Sequence, residues 1–141
     1  MPLAPRSRSI SGRNGHDTPK PTLHKAVVIP WPTAAENVTG FFTDRAITIT
    51  QVTCVLVGSG TPALRFRVHH AADRSAAGSL VLSDNSSDGL TCDTMTAYDS
   101  GTIDTANDNV AANSWVWIET DSTGAAATVN ELSVYIEYTE D

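Results

Sequence analysis

Two adjacent histidines, His69 and His70, close the stretch LRFRVHH, residues 64–70, which also carries Arg65 and Arg67. Histidine is the commonest metal ligand and the side chain best suited to acid–base work near neutral pH. The flanking pattern argues against both uses. Leu64, Phe66 and Val68 alternate with Arg65, Arg67 and His69, the period of a half-buried strand. Neighbours on a strand point to opposite faces, so the two histidines do not converge on one ion. No cysteine or glutamate nearby completes a ligand set. The pattern predicts no metal site, a satisfied His70 inside or at the strand end, and a positive stripe of Arg65, Arg67 and His69. That stripe has two readings. Its charges pair with outward carboxylates of neighbouring strands, such as Glu131 or Glu137, or they meet another subunit, since arginine is enriched at interfaces.

The remaining candidates are weaker. DNSSDG, residues 84–89, has the look of a calcium loop, but Ser86 and Met95 stand where the third and twelfth ligands belong. It reads as a turn, with a weak calcium site at Asp84 and Asp88 left open. Cys54 and Cys92 both lie in apolar, strand-like runs and read as buried free thiols, with a bridge as the alternative. Trp115 and Trp117 share one strand face and Val116 and Ile118 the other, so that strand is expected to be covered on both sides. The cover is this chain or another subunit, and the two tryptophans join the stripe as interface candidates. No nucleophile elbow, phosphate-binding loop or distinct carboxylate pair occurs. The expectation is a protein that is not an enzyme and uses no cofactor.

These residues need elements to hold them. The 141 residues suit one domain with a core of its own. There is neither an apolar run long enough to span a bilayer nor a secretory leader, so no membrane partner is expected. Residues 1–25 hold five basic residues, Arg6, Arg8, Arg13, Lys20 and Lys25, against Asp17 alone, a net +4. Residues 26–141 hold four basic and fifteen acidic residues, a net −11. The first segment is rich in Pro, Gly and Ser and poor in large apolar side chains, so it reads as an extended arm, either a solvated tail or one that orders against a nucleic acid or an acidic protein surface. The body, 26–141, shows strand-like runs at 26–32, 46–58, 64–69, 79–83, 90–98, 114–120 and 129–139, separated by turns. In the second run Ile47 and Ile49 have one parity and Val52, Cys54 and Leu56 the other, which signals a bulge near Gln51. No helix of useful length appears. The fold expected is all-β, an antiparallel β-sandwich of jelly-roll type with an extended N-terminal arm.

Three stretches carry a resemblance: FFTDRAITITQVTCVLVGSGTPALRFRVHHAADRSAAGSLV, NSWVWIETD and ELSVYIEYT. Together they resemble small β-sandwich structural proteins of tailed bacteriophages, over residues 38–139 and without the arm. Within that group, size and the basic arm are most like a capsid decoration, or cement, protein. The resemblance implies a virion protein, made in the host cytoplasm and placed on the capsid exterior. It implies self-association as a homotrimer and binding to the major capsid protein, with the arm as the capsid-binding element and no nucleic acid bound. The alternative is a head-fibre or tail-fibre domain that binds host surface glycans.

Overall fold

The computed structural model describes residues 18–84, 89–121 and 126–141. Arg6, Arg8, Arg13 and Asp88 lie outside these residues. Ten strands occur among them: β1 (Leu23–Pro30), β2 (Asn37–Thr43), β3 (Ile47–Gly58), β4 (Leu64–Ala71), β5 (Ser79–Leu80), β6 (Leu90–Cys92), β7 (Asp99–Ser100), β8 (Asn109–Val110), β9 (Ser114–Asp121) and β10 (Val129–Glu140). One antiparallel sheet runs β1-β10-β3-β7, with β8 also on β3. The other runs β2-β9-β4-β5, with β6 also on β4. This is the expected β-sandwich.

Alternation builds the core between the sheets. Leu64, Phe66 and Val68 of β4, Val116 and Ile118 of β9, and Leu132, Val134 and Ile136 of β10 are all fully buried. Each such side chain stabilises the fold by roughly 1.5–3 kcal/mol relative to exposure. The parity break in β3 is a bulge. Glu137 pairs with Gln51 and Tyr138 with Ile49, which leaves Thr50 as the extra, exposed residue. The bulge lets Ile47 and Ile49 face inward along with Val52, Cys54 and Leu56.

Several element boundaries differ from expectation. β2 has no forecast in the alternation, because Gly40 interrupts NVTGFFT and the pairing slips there between Thr39 and Phe41. A Cβ at Gly40 would lie 3.1 Å from Val27 Cγ2 and 3.2 Å from the Val116 carbonyl oxygen, so the site favours glycine. The run 90–98 is strand only over Leu90–Cys92, and 79–83 only over Ser79–Leu80. The polar connection 99–113 instead contributes β7 and β8 to β3. The first strand starts at Leu23, so Lys25 belongs to the sheet and not to a free arm. It shares the parity of the buried Val27 and Ile29, yet remains exposed, on a strand that among the described residues pairs with β10 alone. A lysine so placed on an edge opposes pairing with stray strands.

The cysteines correct another expectation: they are not free thiols but a disulfide, Cys54–Cys92. Cys54 points inward from β3 and Cys92 inward from β6, so the sandwich itself brings them together from opposite sheets. Their Cα atoms are 6.1 Å apart, within bridging range. The bond ties the short β6 and the middle of β3 into one unit. Reduction, or the paired change of Cys54 and Cys92 to serine, is expected to lower the unfolding free energy by about 2–4 kcal/mol. Urea unfolding with and without reductant measures this; coincident curves would show that the bridge adds nothing.

Candidate functional site

The positive stripe lies on the outer face of the sheet that contains β4, and β9 is its neighbour. The register sets Arg65 opposite Asp121, Arg67 opposite Glu119 and His69 opposite Trp117. Asp121 Oδ2 accepts hydrogen bonds from Nη2 of both arginines, at 2.9 Å in the case of Arg67. Arg67 Nη1 also stands 4.0 Å from Glu119 Oε1. The expected partners Glu131 and Glu137 are therefore wrong. Both belong to β10, in the other sheet. The arginine side chains are only about one-fifth exposed, at 21% and 20%, so water screens these pairs less than ordinary surface pairs.

His69 extends the ladder. Its Nδ1 lies 3.1 Å from the Ala77 carbonyl oxygen, an acceptor only, so Nδ1 carries the hydrogen. Nε2 then faces Glu119 Oε2 at 3.3 Å, off line for a hydrogen bond. Burial holds the imidazole below its ordinary pKa and outweighs the opposing pull of Glu119. His70 points elsewhere: its Nε2 donates to the Asn107 carbonyl oxygen at 2.9 Å. The two histidines are separated as strand parity requires.

Trp117 is on the same outer face but is only 2% exposed. The loop at 72–78 folds over it. His69 stacks on the indole with ring centres 5.3 Å apart, and the Arg74 guanidinium sits 4.5 Å from the ring centre. Arg74 donates to Asn37 and Thr39 of β2, pinning the loop across the sheet. Gly78, at φ 73°, lies so close to the indole that a Cβ would come within 2.5 Å of it. Within the loop, the Ser75 amide and hydroxyl both donate to Asp73 and hold its carboxyl below the usual range.

Trp117 and His69 are thus covered by their own chain and offer little surface to another subunit. Trp115 is half-buried against Phe42, which is 46% exposed. Of the arm, Lys20 lies 3.9 Å from Asp141, with both side chains exposed. Asp121, Glu119, Arg74 and Phe42 are the participants that sequence reasoning missed. Glu119 and Asp121 do share the parity of Trp115 and Trp117, but the adjacency of β9 to β4 is a property of the fold.

Beside the ladder is an open groove of about 370 Å³ bordered by Glu36, Arg67, Glu119, Thr120 and Asp121. Its carboxylates are engaged. Asp121 holds two guanidinium groups, and Glu36 accepts from the Thr33 amide and hydroxyl, which keep it in its charged form. Thr120, buried beneath, receives the Glu36 amide and donates to the Thr33 carbonyl oxygen, both at 2.7 Å. The arrangement locks the β1–β2 connection onto β9. Cys54, Cys92 and Asp99 have ligand-type atoms within 4.8 Å of one another, but the two sulfurs are bonded to each other and present no thiolate.

No family model matches the chain, and no curated protein does. Among solved structures it is similar to a chain of the Cyanophage Pam1 capsid asymmetric unit, with a TM-score of 0.50 and 15% identity over 100% of both chains. At that identity the likeness is one of fold. A chain from Bacillus endospore appendages, described as disulfide-linked pili, gives a TM-score of 0.41 and 18% identity over 86% of this chain and 91% of that one. That likeness is too loose to carry an argument.

If the ladder holds the β4–β9 face together, Asp121→Ala leaves two neighbouring guanidinium groups without their shared acceptor. A loss of about 1–3 kcal/mol is expected, between the values for exposed and for buried pairs. Thermal and urea unfolding of the variant measure it. Stability equal to the parent would show that the ladder is ornamental.

Proposed function

We propose that this chain is a virion structural protein, a capsid decoration protein that binds the outer surface of a phage head and braces it. The observation that carries the reading is the fold likeness to a chain of a cyanophage capsid asymmetric unit, matched along the whole of both chains. The strand order supports it as well. The order β1-β10-β3-β7 against β2-β9-β4-β5 is an arrangement we read as a jelly roll. Asp121 is held by Arg65 and Arg67, and Glu36 by the Thr33 amide and hydroxyl. These contacts serve construction, in keeping with a protein that is not an enzyme.

In this reading the body is a rigid block and the basic N-terminal segment grips the shell. Arg6, Arg8 and Arg13 would face acidic groups of the major capsid protein. Single exposed ion pairs contribute only about 0.2–1 kcal/mol each. A homotrimer multiplies them, because the second and third segments bind at high effective concentration. The test is co-sedimentation with undecorated capsids, comparing the full chain with a form lacking residues 1–17. That cut spares Lys20 and β1. The expected result is an affinity loss of about tenfold or more, and binding by the full chain that weakens as salt rises. Undiminished, salt-insensitive decoration by the shortened form would remove the segment from the mechanism. Attachment to host glycans without capsid affinity would replace the decoration reading with that of a fibre domain.

A further inference from the structure

The two outer faces of the sandwich differ. On the β4–β9 sheet the outer face carries the paired charges. On the β1-β10-β3 sheet, two successive rows across the strands, Ala26–Tyr135–Thr53 and Val28–Ser133–Val55, have no formal charge at all. Glu131 stands in the row beyond one end, with Pro30 and Val57, and the His24–Glu137 pair beyond the other. Val28, Val57 and Tyr135 are 52%, 54% and 43% exposed.

Other exposed apolar side chains lie in segments that adjoin this sheet. Trp31, 72% exposed, follows Pro30 at the end of β1. Its backbone is held at φ 48°, and its amide donates to the Asn130 carbonyl oxygen at 2.7 Å. A non-glycine residue in that conformation is uncommon, and the flanking prolines restrict the backbone on either side of it. Met95 and Tyr98, 45% and 67% exposed, lie in the segment that joins the far edge of the sheet, where the Leu56 amide donates to Thr94. Of the large apolar side chains exposed among the described residues, all but Phe42 are therefore on this sheet or its borders.

We infer that this face is where a second copy of the chain docks. Aromatic residues and methionine are enriched in interfaces, and charged residues are depleted from interface centres. The choice of a second copy rests on charge. Residues 26–141 carry a net −11, so two copies repel wherever acidic surface meets acidic surface. The uncharged rows let two acidic bodies meet without opposing like charges. The inference names the surface for the self-assembly proposed above and rests on that self-assembly, not on attachment to a capsid.

The test uses the full chain without capsids. Sedimentation velocity over a concentration series should show association of the parent. Tyr135→Glu and Val57→Lys should each raise the concentration of half-assembly by about tenfold or more. Their circular dichroism and unfolding midpoints report whether they fold. The parent supplies an independent readout: on concentration, tryptophan emission should shift to shorter wavelength, and Trp31→Phe should remove the shift. A parent that stays monomeric at every concentration would overturn both the surface and the self-assembly. Folded variants that associate like the parent would overturn the surface alone.

Discussion

The register between β4 and β9 is the constraint on which the rest hangs. Setting Arg65 against Asp121 and Val68 against Ile118 sorts both strands at once. Leu64, Phe66, Val68, Val116 and Ile118 go to the core, while Arg65, Arg67, Glu119 and Asp121 go outside and meet their opposites. A slip by one residue would bury guanidinium groups and expose the core. Two forces enforce the same register: apolar burial on one face and charge pairing on the other. That agreement is what makes a strand pair specific.

The other features fit around this pair. Trp117 falls on the outer face, where a bare indole would be sticky, and the 72–78 loop covers it through His69 and Arg74. Arg74 reaches on to β2, so the same loop also fastens the edge of the sheet. Cys54–Cys92 does for the two layers what the ladder does within one of them. Charge is paired within the β4–β9 face, and the opposite face keeps two uncharged rows between Glu131 and the His24–Glu137 pair.

Much of this was legible in the sequence because strand alternation is a local signal. LRFRVHH announced its two faces, and the change of parity near Gln51 announced the bulge that leaves out Thr50. What could not be read locally was which strand lies beside which. Nothing local separates Glu131 and Glu137 from Glu119, since all three stand on strand-like runs, and Asp121 falls just past the run 114–120, where the sequence reads as a turn. The disulfide was hidden for the same reason: Cys54 and Cys92 each had inward parity, but their meeting needs both layers in place. β2 was missed because Gly40 breaks its pattern. The cover over Trp117 was foreseen in kind, but that it comes from the chain's own loop was not.

The proposed role is that of a coat component, a sandwich with paired charges on one outer face and two uncharged rows on the other, present in bulk. The most direct measurement is the copy number of this chain in purified virions, obtained by quantitative mass spectrometry against the major capsid protein. The account predicts hundreds of copies, in a fixed ratio to the shell subunits. A handful of copies per particle, or absence from the particle, would contradict it.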